Sequence, residues 1–307
     1  MYFPFLRGKK HELSALRKTA SRLNPEKFRP IIEPVKRNTN TLVRTVNELN
    51  SNQQTPVVII NPLEGELRGN TTDIFTTLQN ESLNFIPCIA FSHQNIQTAV
   101  QLAHQLATDD VVYATYFKDE PTVDVSQITQ NAYINSVRST DNSTEHFISG
   151  LPNLVKIKDC FQPQERNADY PTQPYVYTDA HLTYRNLPNA VGFGDYQIVG
   201  EPFSDTGGPA RAVALHITYF NSNHNHFMFI KHCVSTIDSG TTGNTAAKFI
   251  EALGLLVQFA ASTPDVDQTT VGFEEFLSLH QRRHYPNLGP AKENSIMHHI
   301  ETIAKNI

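Results

Sequence analysis

Short runs of β-branched and other apolar residues alternate along the chain with segments in which apolar side chains recur every three or four positions. The runs are typical of strands buried on both faces, and the spaced segments are typical of amphipathic helices. Eight runs predict strands at Pro30–Lys36, Pro56–Pro62, Phe85–Phe91, Val111–Tyr116, Ala132–Val137, Leu154–Cys160, Val191–Gly194 and Ala212–Tyr219.

Helices are predicted between most of these strands, including one at Tyr175–Arg185. Phe227–His232 is predicted to pair with the eighth strand as a hairpin. Three further helices are predicted to close the chain, at Thr245–Ala261, Phe273–His284 and Lys292–Ile307.

Strands that alternate with helices predict right-handed β-α-β units and a parallel sheet. Eight strands in roughly 200 residues fit a (β/α)8 barrel. The alternative is a doubly wound open sheet, which would have a glycine-rich turn after its first strand. Here that strand ends in Glu33–Pro34–Val35–Lys36. The predicted fold is therefore an α/β, TIM-like (β/α)8 barrel with extra C-terminal helices, as one domain over 1–307 with 245–307 packed on the barrel.

The stretch 190–219 reads as a strand, a loop and a second strand. Ala190–Gly194 is small and apolar and stops at Asp195 and Tyr196, and a turn is predicted at Gly207–Pro209. A charged and an aromatic residue at the end of a buried strand are candidates for a functional site.

Composition favours a folded cytoplasmic protein. Hydrophobic residues make up 39% of the chain and charged residues 18%, which suffices for a large core. The net charge of −5 argues against general nucleic-acid binding. The three cysteines lie in apolar runs without metal-type spacing, so buried reduced thiols are expected. The first residues are too short an apolar run for a signal peptide, and no membrane span is expected.

The carboxyl ends of the predicted strands carry a mixed set of charged and polar residues. Active sites of (β/α)8 barrels lie at this end. Carboxylates there could hold a divalent metal, and nearby Lys, Arg and His could bind phosphate or transfer protons. The alternative is structural, since the rim of any barrel meets water and is polar. The predicted ligand-binding residues are Arg7, Lys36, Asn61, His93, Lys118, Asp119, Lys158 and Tyr219.

Three residues are candidates for catalysis. Glu33 lies among apolar residues, where an unpaired carboxylate would lose its charge or cost several kcal/mol. Asp195 follows Gly194, a residue that permits close approach of a ligand. His216 interrupts an apolar strand, and the alternative reading is a hydrogen-bonded core histidine.

Three sequence pieces resemble the phage "beta protein"-like family. They are Tyr2-x-Pro4-x-x-Arg7-x-Lys9 with Pro30–Glu33, then Gly194–Tyr196 with His216–Tyr219, and finally Gly289–Pro290 with His298–Ile300. The resemblance implies a barrel-like α/β domain and a setting in phage–host conflict, such as antiviral defence, without a catalytic mechanism. The chain departs from the family in having no Trp before the terminal His pair.

Two functions follow from the sequence. The first is a cytoplasmic barrel enzyme, or binding protein, for a phosphorylated or nucleotide-like small molecule. In it Glu33, Asp119 and Asp195 are acids or metal ligands, Arg7 and Lys36 neutralise phosphate, and His216 or His93 transfers protons. The second is a non-enzymatic module that binds a protein of a phage-encoded or phage-defence complex. The oligomeric state is left open by the sequence.

Overall fold

A computed structural model of the chain describes residues 1–70, 73–139, 144–205 and 211–307. The chain divides into two compact units. The first comprises Met1–Asp159, Ala180–Tyr196 and Ile307, and the second comprises Cys160–Asp179 and Gln197–Asn306. The turn predicted at Gly207–Pro209 lies outside the described residues. The single domain expected over 1–307 stays a prediction.

The strands of the described residues fall into two sheets. In chain order they are β1 Phe5–Leu6, β2 Ile31–Ile32, β3 Val57–Ile59, β4 Ile86–Phe91, β5 Ala114–Phe117, β6 Asn135–Ser139, β7 Leu154–Lys158, β8 Tyr175–Thr178, β9 Ala190–Asp195, β10 Ala214–Asn221 and β11 Phe227–Val234.

The helices follow most of these strands directly. They are α1 Lys10–Thr19, α2 Asn40–Ser51, α3 Asp73–Asn80, α4 Ile96–Thr108, α5 Ser126–Asn131, α6 Glu145–Gly150, α7 Ala180–Thr183, α8 Thr245–Ser262, α9 Val271–Arg282 and α10 Leu288–Asn306.

The first unit is a nearly closed barrel of parallel strands. Its order is β1-β2-β3-β4-β5-β6-β7-β9, and every neighbouring pair is parallel. The N-terminal segment reaches β9, because the Phe3 amide donates to the Phe193 carbonyl at 2.8 Å and the Phe193 amide donates to the Met1 carbonyl at 3.1 Å. The predicted (β/α)8 barrel with C-terminal helices is confirmed.

Glycine in β9 makes that closure possible. A Cβ at Gly194 would collide with the Phe3 carbonyl and with Ile157, and a Cβ at Gly192 would collide with Met1 and Phe3. The small residues that made 190–194 look like a buried strand therefore admit the N-terminal segment against β9.

The identity of two barrel strands differs from the sequence prediction. Phe5–Leu6 is the first strand, although two residues after a proline give no periodic signal. The predicted eighth strand, Ala212–Tyr219, belongs instead to an antiparallel sheet of order β10-β11-β8. β1 takes the remaining place in the barrel. β10 pairs antiparallel with β11, which confirms the predicted hairpin.

The predicted helix at Tyr175–Arg185 is wrong in its first half. Tyr175–Thr178 forms β8, paired with β11, and only Ala180–Thr183 is α-helical. The sequence Tyr-Val-Tyr-Thr is aromatic and β-branched, which suits a pleated strand.

The second unit has its own core between the antiparallel sheet and the C-terminal helices. Leu215 and Ile217 of β10 pack with Phe249 and Leu253 of α8 and with Phe273 of α9. The helical part 245–307 thus packs on this sheet. Among the described residues, α8 has the length and mean hydropathy of a membrane span, although no such span was expected from the sequence. Its buried face in the core is typical of the central helix of a folded unit.

Candidate functional site

Nine of the eleven predicted site residues lie in the barrel unit, and each is at or just beyond the carboxyl end of a strand. In strand order they are Arg7 after β1, Glu33 and Lys36 after β2, Asn61 after β3, His93 after β4, Lys118 and Asp119 after β5, Lys158 in β7 and Asp195 in β9. His216 and Tyr219 lie in the second unit, on β10.

Arg7 and Glu33 form a buried ion pair. The Arg7 guanidinium donates to Glu33 Oε2, and both side chains are almost inaccessible to solvent. The second oxygen, Oε1, accepts the Leu63 amide at 2.7 Å. The carboxylate that looked isolated among apolar residues is therefore paired, and it holds the loop after β3 in place.

Aromatic rings surround the Arg7 guanidinium. It lies 5.1 Å from the Phe5 ring centroid and 5.8 Å from that of Tyr196. The hydroxyls of Tyr116 and Tyr196 are 2.7 Å apart. Burial lowers the pKa of Arg7, but the Glu33 carboxylate and both tyrosines raise it by more, so Arg7 stays charged.

Asp195 is also buried and hydrogen-bonded. The Tyr2 hydroxyl donates to Asp195 Oδ1 at 2.7 Å, and the side chain is 2% exposed. This contact joins the end of β9 to the N-terminal segment. Glu33 and Asp195 thus both carry structural hydrogen bonds inside the barrel, which is the alternative reading of these carboxylates.

A cavity of about 430 Å³ opens at the carboxyl ends of β3, β4 and β5. Four predicted ligand-binding residues line it together, which are Asn61, His93, Lys118 and Asp119. The remaining lining residues are Pro62, Leu63, Glu64, Arg68, Gly69, Ser92, Gln94 and Asn95. Its size is within the range of small-molecule sites.

Cations and carboxylates alternate around this cavity. Lys118 Nζ lies 2.7 Å from Glu64 Oε1, and Asp119 Oδ1 accepts from Arg138 at 3.2 Å. Arg68 donates to the neutral amide of Gln94, so its charge is not balanced by that partner. The formal charges of the lining residues sum to zero. Arg138, which pairs with Asp119, adds one positive charge beside the cavity.

His93 is the most exposed of the predicted residues in this cavity. Its side chain is 61% exposed, its backbone amide donates to Asp119 Oδ2 at 3.2 Å, and its Nε2 is 3.1 Å from the Glu120 carbonyl. The loop Ser92–Asn95 leads into the amino end of α4. A helix amino end favours negative charge.

Asn61 has a structural task at the cavity wall. Its Nδ2 donates to the Ala90 carbonyl and its Oδ1 accepts the Ala90 amide, both at 2.8 Å. The side chain thereby extends the pairing of β3 with β4 by one step, and these two bonds leave its second Nδ2 hydrogen and the second lone pair of Oδ1 for a ligand.

Lys36 and Lys158 lie outside this cavity. Lys36 Nζ is 3.1 Å from Glu66 Oε1 in a separate cavity beside β2. Lys158 is exposed at the end of β7, where it is the backbone partner of Asp195. The predicted ligand set therefore separates into several places along the barrel end.

His216 is one half of a histidine pair in the second unit. Its Nδ1 is 2.6 Å from Nδ1 of His232, the residue directly opposite on β11, and Nε2 of His232 is 2.9 Å from the Tyr175 hydroxyl. Phe161 and Tyr170 pack edge-on against the His216 ring, at centroid distances of 5.1 and 4.8 Å.

Both histidines of the pair are held neutral. Burial, His232 and the positive charge of Lys292 lower the pKa of His216 well below its usual value. Burial and the charge of Lys231 lower the pKa of His232 to about 4. Tyr219, by contrast, packs in the core against Phe229 and Phe259, and burial raises the pKa of its phenol.

Several residues of the cavity were missed from the sequence. Glu64 and Arg68 lie in the segment between β3 and α3. The Glu-x-Glu-x-Arg pattern at 64–68 was the available signal, since it follows a strand end. His232 could have been found by setting the predicted hairpin in register with His216.

No group of three or more His, Cys, Asp or Glu side chains suited to a metal ion occurs in the described ranges. Of the carboxylates expected to share a divalent metal, Glu33 and Asp119 are engaged in separate ion pairs, and Asp195 accepts a hydrogen bond from Tyr2. The thiols of Cys88, Cys160 and Cys233 are buried, as the sequence predicted.

Comparison of the chain with models of known protein families, and with curated protein sequences, gives no significant match.

Proposed function

We propose that the barrel binds a phosphorylated, nucleotide-like small molecule in the cavity at the ends of β3, β4 and β5. The single observation that carries this proposal is that one cavity of ligand size gathers Asn61, His93, Lys118 and Asp119. It lies at the end of the barrel where ligands of this fold bind.

The charges suit an anion attached to a polar group. Arg68 and Lys118 supply the positive charge, and the loop leading into α4 supplies the amino end of a helix. Lys118 is paired with the Glu64 carboxylate, and a bound phosphate would replace that carboxylate as the partner of Lys118. Asp119 and the exposed His93 ring offer hydrogen bonds to hydroxyl or base groups.

The geometry supports binding more directly than turnover. Glu33 and Asp195, the predicted catalytic carboxylates, are buried in structural contacts, and His216 belongs to the second unit. Any acid–base chemistry in this cavity would fall to His93 and Asp119, whose side chains line it.

Calorimetric titration tests the proposal. Ribose 5-phosphate, AMP, adenosine and inorganic phosphate are titrated into wild type, Arg68→Gln, Lys118→Met and the control Arg166→Gln. Arg166 is an exposed cation of the second unit, paired with Asp169. We expect phosphorylated ligands to bind, adenosine to bind less tightly, and either cavity variant to weaken binding at least tenfold. Equal affinity in cavity variants and control, or absence of binding throughout, would contradict the proposal.

The alternative is a protein-interaction module in phage–host conflict, as the resemblance to the phage "beta protein"-like family implies. Val112, Tyr133 and Val191 favour it, because these exposed apolar side chains lie near the amino ends of β5, β6 and β9. A plaque assay in cells that carry the protein separates the two functions. Loss of an effect on infection in Val112→Ser/Val191→Ser, with Lys118→Met unaffected, favours the interaction module. The opposite pattern favours the small-molecule site.

A further inference from the structure

A second cavity, of about 450 Å³, lies beside the first strands of the barrel at the ends of β1 and β2. Its lining includes Lys10, Lys36, Asn38, Thr39, Thr41 and Glu66. Lys36 is the one member of this lining among the predicted ligand-binding residues.

Positive charge predominates in this second cavity. Lys10 and Lys36 face one carboxylate, Glu66, which is about half exposed and already bonded to Lys36 and to the Arg37 amide. Lys10 forms no ion pair with any residue in the described parts of the chain. The remaining polar side chains, Asn38, Thr39 and Thr41, are hydrogen-bonding groups without charge.

We propose that this second cavity is an anion site for a phosphate or a similar dianion, separate from the nucleotide-like ligand of the first cavity. Lys36 and Lys10 neutralise the anion, and the hydroxyls of Thr39 and Thr41 donate hydrogen bonds to it. Glu66 leaves Lys36 when the anion enters, which costs little because an exposed ion pair contributes little stability.

The turn at 64–66 separates the two cavities. Glu64 points to Lys118 in the first cavity, and Glu66 points to Lys36 in the second. Between them Gly65 has φ +76°, and a Cβ there would collide with the Val35 backbone. The turn is therefore fixed against the end of β2, and the two cavities take separate anions.

Amide chemical shifts in a phosphate titration test this site. Inorganic phosphate is added to ¹⁵N-labelled, deuterated full-length protein at constant ionic strength, maintained with chloride. Amides of Gly8, Thr41 and Leu42 report on the second cavity, and those of Gly69 and Gln94 report on the first. We expect saturable shifts at both groups of amides in the wild-type protein. In Lys36→Met we expect phosphate binding to weaken at least tenfold at Gly8, Thr41 and Leu42, and to stay unchanged at Gly69 and Gln94.

The variants distinguish the two proposals. Lys118→Met is expected to weaken phosphate binding at Gly69 and Gln94 alone. Arg166→Gln is expected to leave binding at both groups of amides unchanged. Wild-type shifts confined to Gly69 and Gln94 would overturn the second site while leaving the proposed function intact. Shifts at Gly8, Thr41 and Leu42 that persist unchanged in Lys10→Met/Lys36→Met would also overturn it. Shifts confined to the second group would support this site and contradict phosphate binding in the first cavity.

Discussion

His216 and His232 lie directly opposite each other on antiparallel strands, and their Nδ1 atoms are 2.6 Å apart. One proton is shared between these two nitrogens, so one imidazole donates and the other accepts. The Tyr175 hydroxyl holds the far side of the His232 ring. The pair is therefore a neutral unit, and a second proton would place positive charge in an aromatic, buried surrounding.

This pair makes stability depend on pH. Both pKa values are lowered on folding, so the unfolded chain binds protons more readily, and the stabilisation is complete above about pH 6.5. It is lost as the pH falls towards 4. For His232 alone the full loss is about 3 kcal/mol, since each pKa unit corresponds to about 1.4 kcal/mol.

Urea unfolding at pH 7 and pH 4.5 measures the effect. We expect the double variant His216→Asn/His232→Asn, whose amides do not titrate, to lose less unfolding free energy over this range than wild type. His298 contributes acid sensitivity to both proteins, because burial lowers its pKa to about 4. Equal losses in wild type and the double variant would contradict the prediction.

The buried pair of Arg7 and Glu33 supports the barrel. Replacing Glu33 with Gln leaves the Arg7 charge buried without its carboxylate, and we expect a loss of about 3–5 kcal/mol in unfolding free energy. Glu66→Gln is the matched control, since Glu66 pairs with Lys36 at the surface and its loss should leave stability near that of wild type. Urea denaturation of wild type, Glu33→Gln and Glu66→Gln measures the three free energies of unfolding. A near wild-type value for Glu33→Gln would show that the pair is dispensable for folding.

The barrel was predictable from sequence because its strands are β-branched runs at regular spacing. Ile86–Phe91 and Leu154–Lys158 were placed within two residues at each end. The first strand, Phe5–Leu6, was not predicted, because two residues carry no periodicity and its pairing with β2 depends on residues 26 positions away. Ala212–Tyr219 was assigned to the barrel in its place, because it was the eighth apolar run along the chain and a (β/α)8 barrel needs eight strands.

The candidate site was predictable only as a set of strand ends. His93, Lys118 and Asp119 come together because β4 and β5 are adjacent, which the order of strands implies. Glu64 and Arg68 were not predicted, since their positions depend on the path of an irregular segment. The partners of Glu33 and Asp195 were also beyond a sequence pattern, because Arg7 and Tyr2 approach them from an N-terminal segment distant in sequence.

The contact between Tyr2 and Asp195 joins the N-terminal segment to β9. A hydrogen bond to a carboxylate contributes about 1.5–3 kcal/mol. We therefore expect Tyr2→Phe, which removes only the hydroxyl, to lower the free energy of unfolding by about that amount. Tyr133→Phe serves as the control, because its hydroxyl meets Arg29 at an exposed position. Equal decreases of the denaturant midpoint in Tyr2→Phe and Tyr133→Phe would show that the hydrogen bond to Asp195 adds no more stability than the exposed one.

Gly194 admits the N-terminal segment against β9, and any side chain there must displace the Phe3 backbone or Ile157. We expect Gly194→Ala to destabilise the protein by about 1–3 kcal/mol or to prevent folding, as overpacking does. Gly254→Ala is the matched substitution, since Gly254 lies within α8 with no atom near its missing Cβ. That change should stabilise the protein by up to about 1 kcal/mol because alanine favours helix. Thermal unfolding of both variants measures the contrast, and a Gly194→Ala protein as stable as wild type would show that the N-terminal segment does not need this close approach.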